Sequence, residues 1–262
     1  MIGHLLHFPP WLCGLIIVGT FVILAVAGLP LFQWLTAGRL RLTEEMNNDI
    51  IFFASAIAVF YSLTVGLIAV GVWSAYGGVE DIVSAEATAI GCFYRDVTGY
   101  PEPIKTQLQA QARDYTDFII TQSWPAQAQG KIADDATRRL TSLGETLVRF
   151  EPATIGQQTL HAEALHQFNE MAGLRRKRLH AIGAGLPSVM WSVVLIGAAL
   201  TISVTYLLQI ERIVQLVLTG FLAMFIGLVV FVIASLDQPL SGPLAIGSHP
   251  YELVRDRLID LK

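Results

Sequence analysis

The side chains with the widest chemical reach in this 262-residue chain are six histidines and two cysteines, and their spacing argues against catalysis. His161 and His166 stand five apart, which does not bring two imidazoles onto one helix face. His4, His7, His180 and His249 are isolated and read as solvated or interfacial. No HExxH, CxxC, GxSxG, GxGxxG or GxxxxGKS/T run occurs, so neither a metal site, nor an activated nucleophile, nor a phosphate loop is foreseen. The chain is expected not to be an enzyme and to carry no metal and no cofactor. Cys13 lies in an apolar run, where a thiol behaves as a small hydrophobe. With Cys92 it makes too few cysteines for a disulfide framework.

More can be read from polar groups at the ends of long apolar runs, because charge there must face water or find a partner. Asn47-Asn48-Asp49 precedes one such run, and capping of the helix that follows accounts for all three. Asp237 follows another run, at a helix end where the dipole disfavours a negative charge. A cation from Arg175–Arg178 is the expected partner, or else Asp237, Pro239 and Gly242 form a purely structural corner. Within the run after Asp49, Phe53, Ile57, Phe60 and Thr64 recur at helical spacing on one face. In several copies around an axis they would make stacked apolar rings, which gate ions by dewetting. Packing on lipid or on a neighbouring helix is the alternative. Tyr61, Ser55 and Ser62 flank this face and suit contact between helices.

Four elements must position these groups. The composition is 53% hydrophobic and 15% charged, with mean hydropathy +0.56 and net charge −4. That is too apolar for an ordinary soluble core, and it lacks the basic field that attracts nucleic acid. A span needs about 20 apolar residues to cross roughly 30 Å of hydrocarbon. Trp11–Trp34, Ile50–Tyr76, Leu186–Leu208 and Ile213–Leu236 qualify, with Pro30 placed to kink the first and a very short hairpin joining the last two. No Asp, Glu, Lys, Arg or His falls in mid-span, which argues against a proton relay. The start of the chain lacks the basic residues of a cleaved leader, so the first span reads as retained. Arg175, Arg176, Lys177, Arg178, Arg255, Arg257 and Lys262 outnumber Arg39, Arg41 and Arg212 on the opposite face. The positive-inside rule therefore places both termini and the long inter-span segment in the cytoplasm. The expected division is residues 1–76 for two spans, 77–185 for a cytoplasmic domain, 186–236 for two further spans and 237–262 for a cytoplasmic tail.

The 77–185 segment has helical periodicity throughout. Residues Glu80–Arg95 continue the second span without a breaker. One apolar stripe, Ile104, Leu108, Tyr115, Phe118 and Ile119, stops at Trp124-Pro125. A second runs from Ile132 to Phe150. A third helix, Thr154–Gly183, delivers Arg175–Arg178 to the membrane surface. Three narrow stripes need the extended second span or neighbouring subunits to complete a core.

Several of these features fall in a familiar order. Asn47-Asn48-Asp49, then Tyr61, Gly66, Trp73 and Tyr76, then Glu86-Ala87 and Arg95, then Arg175 and Arg178 before Leu186-Pro187 and Trp191, and finally Asp237-Gln-Pro239 and Gly242, together resemble the bestrophin-like family of bacterial membrane proteins. The resemblance covers about residues 44–245. It implies an all-α, four-span inner-membrane protein with cytoplasmic termini and a helical insertion. It also implies kinship with bestrophins, which are homopentameric ion channels, anion-selective in animals, whose pores are lined by the second span. By that similarity Phe53, Ile57 and Phe60 become neck candidates, with Thr64 on the same face, and the expected partners are lipid, small inorganic ions and further copies of the chain. No cluster resembles the calcium clasp of the animal channels. The 77–185 segment holds 11 Lys plus Arg against 13 Asp plus Glu, so it favours neither ion sign, and Glu80, Asp81 and Glu86 could form acidic rings. A non-conducting scaffold or sensor that binds a partner through its cytoplasmic helices is the alternative function.

Overall fold

The computed structural model describes residues 9–36, 43–133 and 135–259. His4, His7, Arg39, Arg41 and Lys262 lie outside them. Every regular element among the described residues is helical, as the sequence patterns require, and the chain divides into two compact units.

The first unit comprises the chain up to Ala75 together with Gly185–Asp237 and Gly242–Leu244. It holds α1 (Pro10–Thr36), the first half of α2 (Asn47–Asp96), α7 (Ser188–Thr205) and α8 (Arg212–Leu236). Among the described residues four helices are thus long and apolar enough to cross a membrane, and the protein is a multi-pass membrane protein. Hydroxyls within these helices bond back to carbonyls one turn earlier, Thr20 to Ile16, Ser55 to Ile51 and Thr64 to Phe60. Their polar atoms are therefore satisfied without water. Pro30 remains inside α1. α1 and α8 run antiparallel in close contact. A Cβ at Gly227 would lie 3.1 Å from the Val18 Cα, so the absence of a side chain there favours this close backbone approach. Tyr206, just past α7, donates its hydroxyl to the Ala25 carbonyl at 2.7 Å.

The turn between α7 and α8 is closed by side chains. Gln215 Nε2 donates to the carbonyls of Thr205 and Leu208, both at 3.0 Å, satisfying acceptors that the end of α7 leaves open. Asn47 corrects the capping expectation. Its amide exchanges two hydrogen bonds with the Gln209 backbone, at 2.8 and 2.9 Å, so it ties the start of α2 to this turn. A 3₁₀ turn, Glu44–Met46, precedes α2.

The second unit comprises Tyr76–Ala184, Gln238–Ser241 and the chain from Ala245. It contains the second half of α2, α3 (Ile104–Phe118), α4 (Trp124–Ala128), α5 (Asp135–Val148), α6 (Ile155–His180) and α9 (His249–Val254). The glycine pair Gly77-Gly78 does not interrupt α2, which is a single helix of 50 residues. Its Val83, Ile90 and Phe93, with Val97 in the turn that follows it, are buried with Leu108 and Tyr115 of α3, Leu143 and Leu147 of α5, and Met171 of α6. The three stripes thus complete their core on the continuation of α2. Thr154 caps α6 by accepting from the Gln157 N–H, while the Gln157 side chain accepts from Ala153 N, a reciprocal arrangement of the capping-box type.

Two expectations fail in this unit. The helix does not stop at Trp124-Pro125. A π turn over Ile119–Ser123 leads straight into α4, where proline falls in the first turn and needs no N–H partner. Nor does α6 deliver four cations to a membrane surface. Arg175 and Arg178, three apart, face inward and are buried, while Arg176 and Lys177 are exposed.

Candidate functional site

Among the described residues of the first unit, α2 is held along one side. Tyr61 lies so close to α7 that a Cβ at Gly197 would fall 2.5 Å from its ring, and its hydroxyl donates to the Val194 carbonyl at 3.3 Å. Val65 and Val72 continue this buried side. The candidate gate face lies a quarter turn away. Phe53 is 66% and Phe60 73% exposed, Thr64 is exposed and Ile57 half-buried. Phe53 packs edge-on against Phe52, with ring centroids 5.7 Å apart. Trp73, Asn48 and Asp49 are also exposed. The face formed by Phe53, Ile57, Phe60 and Thr64 is apolar and aromatic-rich, with one hydroxyl already bonded within its own helix.

The second unit carries a buried ionic node. Glu86 of α2 and Arg178 of α6 are 0% and 1% exposed. The guanidinium donates twice, Nε to Oε2 at 2.7 Å and Nη2 to Oε1 at 2.9 Å, in the paired geometry that makes such contacts strong. Tyr115 donates its hydroxyl to Oε1 at 3.4 Å. The guanidinium carbon lies 5.3 Å from the Trp124 ring centroid and 5.8 Å from that of Tyr251, within cation–π range. Burial opposes the charge of Arg178, but the Glu86 carboxylate and the nearby phenols outweigh it and its pKa stands above the ordinary value. Burial, then Glu86, push the Tyr115 phenol well up. The Arg178 guanidinium therefore stays charged and the Tyr115 phenol neutral at neutral pH. Glu86, sealed in this pair, is withdrawn from any acidic ring, whereas Glu80 and Asp81 are exposed. Arg175 donates to the Thr137 hydroxyl at 2.8 Å, and Arg95 is exposed near the end of α2.

Asp237 follows α8 but serves α7. It accepts from the Leu186 N–H at 2.5 Å and from Trp191 Nε1 at 3.3 Å. Its charge therefore meets the positive end of α7, where Pro187 is the N-cap, rather than a cation from 175–178. Pro239 accepts from the Ile246 N–H at 2.8 Å within the second unit, and Gly242 is buried in a bend of the first.

A smaller polar contact sits near the surface of the second unit. Tyr100 Oη lies 2.7 Å from His161 Nδ1, with Phe150 against both rings. Burial, then Asp96, push the Tyr100 phenol up to about 12, and burial lowers His161 below its ordinary value. No group of three His, Cys, Asp or Glu able to hold a metal occurs among the described residues.

Sequence reasoning missed Tyr115, Trp124 and Tyr251 as the shell of Arg178. Trp124 resembled a helix stop and Tyr251 a tail residue. Yet Tyr251 is fully buried, and Trp124 Nε1 donates to the Ile246 carbonyl at 3.1 Å. An aromatic in a polar tail was the available signal.

A family model described as a bestrophin-like domain matches residues 16–251. Among solved structures, a point variant of a bacterial bestrophin homologue from Klebsiella pneumoniae superposes with a TM-score of 0.70 at 10% identity, covering 94% of this chain and 99% of that one. A second variant of a Klebsiella pneumoniae homologue gives 0.67 at 11%, covering 94% and 97%. A structure described only as a membrane protein gives 0.70 at 10%, covering 94% and 97%. At such identities the likeness speaks for the fold. No curated protein matches the chain in sequence.

Proposed function

We propose, because the chain belongs to the bestrophin-like family, that it is a homo-oligomeric ion channel, a pentamer whose axial pore is lined by Phe53, Ile57, Phe60 and Thr64 of α2. Kinship with bestrophins favours small anions such as chloride. The protein spans the bacterial inner membrane, with its termini, the 77–185 domain and the 237–262 tail in the cytoplasm, and it performs no catalysis. One observation carries the reading. The apolar face of α2 that bears Phe53 and Phe60 is left open by its own chain, although Tyr61 and Gly197 hold the helix firmly on another side. Repeated around an axis, such faces close a constriction that water leaves readily and ions cross only when it is wetted.

The test is current across a planar bilayer containing purified protein under a salt gradient. Discrete currents with a shifted reversal potential establish conduction and fix the ion sign. Silence from folded oligomer points instead to a scaffold whose second unit binds a partner. Phe60→Ala discriminates further. A gate residue yields raised leak with stability retained, whereas a packing residue loses on the order of 3–5 kcal/mol of stability.

A further inference from the structure

α1 and α8 enclose a groove of about 470 Å³ in the first unit. Ile23, Val26, Ala27 and Pro30 of α1 form one wall, spaced as a helix face, and Arg212 and Leu216 of α8 form the other. The lining is apolar except at one end. There Arg212, the first residue of α8, is exposed and meets no carboxylate among the described residues. Glu211 precedes it as the N-cap but makes no side-chain capping bond, and adjacent residues do not share a helix face. The positive end of a 25-residue helix therefore lies beside a guanidinium that has no carboxylate partner among the described residues.

We infer that this groove binds a phospholipid with a net negative headgroup. One acyl chain lies along Ile23, Ala27, Pro30 and Leu216, and the phosphate meets the Arg212 guanidinium and the first N–H groups of α8. Guanidinium matches phosphate in charge and in its two-point hydrogen bonding, and an apolar wall of this length suits an alkyl chain. A second groove in the same unit supplies a natural control. It lies between α1 and α7, measures about 310 Å³, and is lined by Leu24, Leu195, Ala199, Ile202 and Tyr206 without any charged residue. It has no means of selecting a headgroup.

The test uses the full chain purified in neutral detergent and titrated with phosphatidylglycerol or phosphatidylcholine, reading bound lipid by native mass spectrometry and the midpoint of thermal unfolding. Phosphatidylglycerol is expected to bind about fivefold more tightly, the worth of one interfacial cation, and to raise the midpoint further than phosphatidylcholine. Arg212→Gln abolishes that difference, while Arg176→Gln, which removes an exposed cation of the second unit, leaves it intact. Ala27→Phe fills the groove from an exposed position and removes the preference with Arg212 still present. Equal binding of the two lipids by the unaltered protein, or a preference that survives either Arg212→Gln or Ala27→Phe, overturns the assignment.

Discussion

A buried carboxylate and guanidinium pair is costly to desolvate and costlier still to separate. Glu86→Ala leaves Arg178 charged and buried, and the expected loss is about 3–5 kcal/mol, read by thermal or denaturant unfolding followed by circular dichroism. Replacing both, Glu86→Leu with Arg178→Met, removes the stranded charge, so the double variant should recover most of that loss. Full additivity of the two single changes would show that the pair is not coupled. His161 makes a weaker and opposite kind of prediction. Its folded-state pKa is lowered by burial, so the neutral ring is favoured in the folded protein. Its contribution is complete above the unfolded value of about 6.5 and is lost as pH falls through that value toward the folded one. The unfolding midpoint should therefore drop on acidification from pH 7.5 to 5.5, and His161→Gln should show a smaller drop.

Among the elements, α2 depends most on small contacts, because so much of its spanning half is open. Gly197→Ala drives a methyl into the Tyr61 ring, an overpacking that should cost about 1–3 kcal/mol in a detergent melt. A paired Tyr61→Ala should relieve the clash, and an unchanged midpoint in Gly197→Ala alone would refute the contact. Helix existence was legible for the four spans and for α3, α5 and α6, since hydropathy and the spacing of apolar residues report it directly, but not for the short α4 and α9. The absence of a break at Gly77-Gly78 was legible too, because two glycines weaken a helix without blocking its hydrogen bonds. Partners were not. Asn47 looks like a cap because it stands where caps stand, and its real acceptor and donor lie at Gln209, 162 residues away. Asp237 seemed to need a cation by proximity in sequence to α8, yet the N-terminus of α7 satisfies it. The basic run 175–178 read as one cluster, but three-residue spacing on a helix sends Arg175 and Arg178 inward and leaves Arg176 and Lys177 outside.

For the whole molecule the decisive quantity is stoichiometry. Native mass measurement in mild detergent should give five times the 28.6 kDa chain, and a monomer or dimer that still carries its full helical content would remove the axial pore from consideration. The two bonds between Asn47 and Gln209 also bear on how the protein is made. The amide of Asn47 enters the membrane early in synthesis, but its partner emerges from the ribosome 162 residues later. Until then the start of α2 has no anchor at the far turn, and the Gly197 surface that receives Tyr61 does not yet exist. The nascent chain therefore passes through a long interval in which its most open helix is held by lipid alone. Insertion of the α7–α8 hairpin is the event that ends this interval, so quality-control proteases should discriminate sharply between chains arrested before and after residue 209.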